Sequence, residues 1–237
     1  MKRGDQMKVC WFSAGVSSFI ATYLVRDTLD KIIYCHIDEQ HEDTLRFVAD
    51  CEKVLGKIEI LQSPYRSVSN VINTFRFVNS RYGARCTDVL KKRVRKEWEL
   101  GKKDLTYVWG YDYNEKHRAE QIQELLPKFK HEFPLIDRQF KKDDCHGLLK
   151  KLGVKRPYMY DLGYSNNNCV GCVKGGMGYW NKIRVDFPEV FNERAKQERA
   201  IGHTCIKGVY LDELNPSKGR LSDEIMEDCS IICQLFL

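Results

Sequence analysis

Two stretches of this chain combine residue types and spacing that could do chemistry. The first is Cys10-Trp11-Phe12-Ser13-Ala14-Gly15-Val16-Ser17-Ser18, where small residues and hydroxyls separate an apolar run from an amphipathic one. Backbone N–H groups in such a turn can converge on an anion at the start of the following helix, where the helix dipole adds to the attraction. Gly15 would let a phosphate approach the backbone, and Ser13, Ser17 and Ser18 could donate to its oxygens. The plain alternative is a serine-capped helix. Neither GxxxxGK(S/T) nor GxGxxG is present, so the two commonest phosphate loops are excluded. The second stretch is Cys169-Val170-Gly171-Cys172, inside a segment rich in Gly and Asn. A loop lets both sulfurs turn toward one ion, so metal or cluster binding is the leading expectation, ahead of a redox dithiol or a structural loop.

The elements that must position these residues are legible in the hydropathy pattern. Strands are expected at Lys8 to Phe12, Lys31 to Asp38, Ile58 to Leu61, Leu105 to Gly110 and Phe133 to Ile136. Helices are expected after Ser18, with Phe19, Ile20, Tyr23 and Leu24 on one face, and at Glu42 to Leu55, Ser67 to Val78, Cys86 to Leu100 and Asn114 to Leu126. Two more follow near Tyr179 to Val185 and Pro188 to Arg199. Strands alternating with helices imply an α/β fold: an open parallel sheet with helices on both faces. Ligands of such sheets bind at the carboxyl ends of the strands. The division expected is a nucleotide-binding domain over residues 1–150 and a cysteine-containing subdomain over 151–237.

The 237 residues carry 39 Lys and Arg against 33 Asp and Glu, a net charge of +6. That suits an anionic small molecule and a nucleic acid equally. Basic residues interleaved with Tyr65, Phe75, Phe77, Tyr82 and Trp98 could track a nucleic-acid backbone, though a solvated helix face is the simpler expectation. No apolar run approaches the length of a membrane span, and the polar start implies no signal peptide. A cytoplasmic protein is expected, in which 10 cysteines point to metal or redox chemistry more than to disulfides. Cys10, Cys35 and Cys51 lie in apolar elements and read as core. Cys145 and Cys205 stay open.

Ser13-Ala14-Gly15-Val16-Ser17-Ser18 resembles the Ser-Gly-Gly-x-Asp-Ser pyrophosphate loop of the adenine nucleotide alpha-hydrolase, or PP-loop, superfamily. Ala14 replaces the middle Gly and Ser17 the Asp, which removes a carboxylate that could help hold Mg²⁺. The phosphoadenosine phosphosulfate reductase-like branch is the more similar one. His36-Ile37-Asp38 to Phe47 resembles its second-strand motif, and Cys86-Thr87-Asp88-Val89-Leu90-Lys91 its cysteine–lysine motif. Gly110 to Arg118 resembles its Gly-x-Arg-x-x-Glu-x-x-Arg motif, and Tyr164-Ser165-Asn166-Asn167-Asn168-Cys169-Val170-Gly171-Cys172 the Asn-Cys-x-Gly-Cys variant of phage and bacterial members.

The resemblance implies nucleotide binding by Ser13, Ala14, Gly15, Ser17, Ser18, Asp38 and Gly110, with Asp38, Lys91 and Arg118 in catalytic roles. Asp38 would take a ribose hydroxyl or Mg²⁺; its plain alternative is a helix-capping carboxylate. The resemblance also implies a 4Fe–4S iron-sulfur cluster on Cys86, Cys169 and Cys172. The family's second adjacent cysteine is Thr87 here, so a tail residue such as Cys233 would complete the set. The rival is Zn²⁺ held by Cys169, Cys172, Cys229 and Cys233. The implied function is an enzyme that binds ATP or a related adenine nucleotide, activating a substrate by adenylation or transferring sulfur. The alternatives are an adenylyl-sulfate or phosphoadenylyl-sulfate reductase and a non-catalytic nucleotide sensor. The Glu-Cys-Gly-x-His tail of true reductases is missing from the sequence. Implied partners are an adenine nucleotide, a tRNA or DNA acceptor or a sulfur-donor protein, and a second copy of the chain as homo-oligomer. A membrane is not among them.

Overall fold

The structure, a computed structural model, describes residues 6–80 and 83–223. Alternating short apolar runs and amphipathic helices build a five-stranded sheet ordered β3-β2-β1-β6-β7. Its strands are β1 (Met7–Phe12), β2 (Lys31–His36), β3 (Ile58–Gln62), β6 (Leu105–Val108) and β7 (Lys130–Glu132). The strands β4 (Asn79–Ser80) and β5 (Gly83–Ala84) form a separate antiparallel pair. In the main sheet β1 pairs in parallel with β2, aligning Cys10 with Ile32, and on its other side with β6, aligning Val9 with Tyr107. β7 continues the sheet in parallel beyond β6.

The expected α/β fold with a parallel sheet is therefore present, with one strand displaced. Phe133 to Ile136 is not the fifth strand. Lys130–Glu132 takes that place, and Pro134 opens the short helix α7 (Pro134–Asp137). Proline has no N–H for a sheet ladder, and its fixed φ suits the first helical position.

Two compact units interleave along the chain. Unit 1 comprises residues 1–35, 42–61 and 96–167; unit 2 comprises 36–41, 62–95 and 168–237. Unit 1 contains nearly all of the sheet, with α1 (Val16–Val25), α2 (Asp43–Leu55), α6 (Lys116–Leu125), α8 (Lys142–Lys151) and α9 (Tyr158–Asp161). Its core joins Phe12, Phe19, Ile20, Tyr34, Phe47, Leu135, Cys145 and Leu149. Phe19 and Phe47 lie 6.2 Å apart between ring centroids. Burying an aromatic or branched aliphatic side chain of this kind contributes roughly 1.5–3 kcal/mol.

Unit 2 holds α3 (Val68–Phe75), α10 (Met177–Asp186) and α11 (Pro188–Ile201). It also holds the short helix α4 (Arg85–Thr87), which runs through the π-helical turn Asp88–Lys92 into α5 (Arg93–Glu99). Trp180, fully buried, packs between Tyr179 and Phe191 in its centre.

Candidate functional site

In unit 1 the chain runs off the carboxyl end of the central strand β1 into α1. β2 and β3 lie on one side of β1, and β6 and β7 on the other. The β1–β6 boundary is thus a topological switch point, where open α/β sheets bind ligands. Gly110, just past β6, approaches α1 so closely that a Cβ there would lie 2.5 Å from Ser18 Cα and 2.9 Å from Ser18 N. Its lack of a side chain is thus a packing requirement of the site.

The loop itself is locked from within. Ser13 N–H donates to Ser18 Oγ at 3.0 Å, and Gly15 carbonyl accepts from Phe19 N–H at 3.0 Å. Val16 N–H donates to the Tyr160 hydroxyl at 3.3 Å. Ala14 sits at φ 58°, the left-handed region. A non-glycine residue pays for that conformation with roughly 1–2 kcal/mol of steric strain, which is the physical reason a glycine is usual in loops of this shape. Ala14 carbonyl accepts from Asn167 Nδ2 at 2.9 Å.

After these bonds are made, the amides of Ala14, Gly15, Ser17 and Ser18 have no acceptor among the described residues. They belong to the loop and first turn of a ten-residue helix with no acidic residue in its opening turn. A cluster of unpaired amides at a helix N-terminus is suited to phosphate oxygens. The Ser17 hydroxyl is buried against the Cys145 thiol with no partner of hydrogen-bond geometry. What Ser17 offers a ligand is therefore its amide.

Arg118 is also in unit 1, but buried rather than solvated. Its guanidinium pairs with Glu115 and lies 4.5 Å from the Tyr111 ring centroid. Asp112 and Glu115 form a capping box at the start of the same helical segment. Asn167 was not singled out in the sequence. Its place in the run Asn166-Asn167-Asn168 does not distinguish it from its neighbours as a partner of the β1–α1 loop.

Within unit 2, Asp38 accepts from Gln62 Nε2 at 2.7 Å and from Arg66 Nε at 3.1 Å. The helix-capping role considered for Asp38 belongs to its neighbour. Both Glu39 carboxylate oxygens accept 2.7 Å bonds, from Val68 N–H and Ser69 N–H at the start of α3. Lys91 is buried, as is Lys92, in the π-helical turn. Single π-turns inside helices occur often at functional sites. The aromatic residues of the basic stretch pack with its cations: Arg85 lies over Phe75 at 4.7 Å, and Phe75 contacts Tyr65. Tyr82 lies outside the described residues.

The CxxC loop is closed on itself. Tyr179 hydroxyl accepts from Cys172 N–H at 2.9 Å and donates to Cys169 carbonyl at 3.1 Å. Val170 N–H donates to Glu39 carbonyl at 2.8 Å, and Gly175 N–H to Cys172 carbonyl at 3.0 Å. Gly171 has φ 71°, and a Cβ there would sit 2.7 Å from Val190 Cγ1. This glycine serves the turn and its packing.

Burial pushes the Cys205 thiol far above the ordinary thiol range, with Glu198 and Cys172 adding negative charge nearby. Burial also raises Cys10 and Cys145, each to about 12. Both are fully buried, and Cys145 is part of the core of unit 1. None of the described cysteines is in a disulfide. Among the described residues, no three His, Cys, Asp or Glu side chains gather as a metal would require. Four ligands are usual for a zinc staple or an iron–sulfur cluster. The described donors, Cys86, Cys169 and Cys172 included, do not by themselves make up such a set. Cys229 and Cys233 lie outside the described residues.

The family model for the phosphoadenosine phosphosulfate reductase domain matches residues 8–175, well over half of the chain. This chain belongs to that family. The matched span includes the β1–α1 loop, Asp38, Lys91, Gly110, Arg118 and the CxxC. Among solved structures, the chain is similar to a phosphoadenylyl-sulfate (PAPS) reductase from Candida auris, in a phosphate complex. The identity is 11%, over 69% of this chain and 80% of that one, with a TM-score of 0.48. No curated protein matches. No described helix is long and apolar enough to cross a membrane.

Proposed function

We propose that the β1–α1 loop holds the phosphates of an adenine nucleotide, and that this family member is an enzyme using the nucleotide to activate an acceptor by adenylation. The observation that carries the reading is the set of four loop amides left without acceptors at the head of α1, at the switch point of the sheet. Fixed N–H dipoles there need no reorganisation when phosphate charge develops, the condition under which such donors contribute most to a reaction. In the proposed step an acceptor oxygen attacks the α-phosphorus. The bond from that phosphorus to the bridging oxygen breaks, pyrophosphate leaves with the electron pair, and the acceptor proton passes to solvent. Loop amides would hold the leaving phosphates. Asp38, Lys91 and Arg118 are proposed as further catalytic residues, each tested by Asp38→Asn, Lys91→Met or Arg118→Met on turnover.

Pyrophosphate release from ATP tests this reading. Release that Gly15→Val abolishes is the expected result. Tight ATP binding without release would leave a nucleotide sensor instead, and sulfite formation from adenylyl sulfate would favour a reductase. The described thiols alone do not complete a cluster or zinc centre. Metal content and visible absorption of anaerobically purified protein address that separately. Broad absorption bleached by Cys86→Ser would support 4Fe–4S. Colourless protein with zinc that survives Cys86→Ser would support the Cys169, Cys172, Cys229 and Cys233 set.

A further inference from the structure

We infer that Asn167 is a positioning residue of the phosphate loop: its side-chain amide latches the Ala14 carbonyl and thereby aims the Gly15 N–H at the bound phosphate. The inference rests on the phosphate-binding reading above and adds to it a determinant far along the chain.

The bond joins residues 153 positions apart, from Asn167 Nδ2 to Ala14 O at 2.9 Å, and it is buried. The chemistry of the acceptor fixes the orientation of the amide. A carbonyl oxygen can only accept, so the atom facing it must be the NH₂ group. Thr44 Oγ1 flanks the same amide, 3.2 Å from Nδ2 and 3.4 Å from Oδ1. Thr44 is 1% exposed and Asn167 4% exposed, so neither can trade these bonds for water. Next to Asn167, Asn166 Oδ1 accepts from Lys142 Nζ, which ties the Asn run to α8 as well.

The consequence for the loop follows from peptide geometry. In a planar trans peptide, the carbonyl of one residue and the N–H of the next point in opposite directions. Holding the Ala14 carbonyl toward Asn167 turns the Gly15 N–H away from Asn167, and that N–H has no acceptor of its own among the described residues. The latch matters more here than it would with glycine at position 14. Ala14 at φ 58° lies in a region that alanine leaves readily. A glycine would occupy the region without strain; alanine needs an external bond to stay there. The Ala14 side chain is itself fully buried in the core of unit 1, which fixes one end of the peptide, while Asn167 fixes the other.

The test uses the full chain and ATP as the probe, with Asn167→Leu and Thr44→Val as variants. Leucine keeps the volume and loses both hydrogen-bonding groups. The valine variant keeps Asn167 and removes only the hydroxyl that orients it, so it serves if Asn167→Leu does not fold. Asn167→Leu is expected to weaken ATP binding by about tenfold or more, the loss of one well-aimed hydrogen bond to a charged group. Thr44→Val is expected to weaken it less. The readout that a merely structural role would not move is the Gly15 amide resonance. It should shift when ATP is added to the parent and fail to shift in folded Asn167→Leu, or shift less in Thr44→Val. If the parent binds ATP and the folded variants bind it equally, with the same Gly15 shift, the latch is overturned while the binding reading stands. If the parent itself does not bind ATP, the binding reading falls and the latch falls with it.

Discussion

The β1–α1 loop and the CxxC loop are both short, both built on small residues and both buried at their edges, yet they differ in what they leave over. In the first, carbonyls and side chains are locked inward by Asn167, Ser18 and Phe19, and four amides remain without acceptors. In the second, Tyr179 bridges Cys172 N–H and Cys169 carbonyl, while Val170 and Gly175 complete their bonds to backbone carbonyls. A motif that satisfies its own backbone can be a structural staple; one that leaves donors without acceptors at a helix head is prepared for an anion.

The largest effect that would sharpen this contrast is expected at Gly110. Gly110→Ala would drive a Cβ into the backbone of Ser18, which cannot rotate away. A loss of about 3 kcal/mol is expected, the upper end for overpacking because the obstacle is backbone, read as a lower urea midpoint, together with loss of ATP binding. Normal stability in that variant would mean that α1 does not sit against Gly110 as described.

A smaller loss is expected from Tyr179→Phe. It strands the buried Cys172 N–H and Cys169 carbonyl, costing about 1–3 kcal/mol in chemical denaturation. ATP affinity should stay within about twofold, since no loop amide is touched. A variant as stable as the parent would show that the CxxC loop is held by something else, such as a bound metal.

The smallest effect concerns pH. Burial lowers the pKa of His36 below its ordinary value; the neighbouring Asp38 carboxylate opposes the shift and Arg66 adds to it. The unfolded chain therefore binds the proton first as pH falls. Stability is expected to decline as pH drops through about 6.5, the ordinary imidazole value, and to level off above it. His36→Gln should flatten that slope in thermal melts taken across the range. An unchanged slope would remove His36 as its source.

Much of the sheet was legible because β1, β2 and β6 are buried runs whose apolar character no helix of that length would need. Phe133 to Ile136 is as apolar as a strand, but Pro134 has no N–H for a sheet ladder and opens a helix instead. The turn between β1 and α1 was legible from its small residues, and the departure at Ala14 was visible as a letter change. Its meaning was not: a positive φ and a latch from residue 167 are properties of the folded chain. Arg118 and Lys91 read equally well as surface charges, because burial of a cation beside Glu115 or in a π-turn leaves no mark in hydropathy. The interleaving of the two units is likewise invisible to composition, since contacts between distant segments define it.

The central claim is that the head of α1 binds phosphate. Calorimetric titration of ATP into the parent and into Gly15→Val tests it most directly, with urea unfolding of both proteins run in parallel. Gly15 has φ −100° and ψ 163°, extended backbone that valine also adopts, so the fold should survive while the side chain fills the approach to the amides. The account predicts one saturable site in the parent, no measurable binding in Gly15→Val, and similar urea midpoints. ATP binding of equal affinity in both proteins would contradict it.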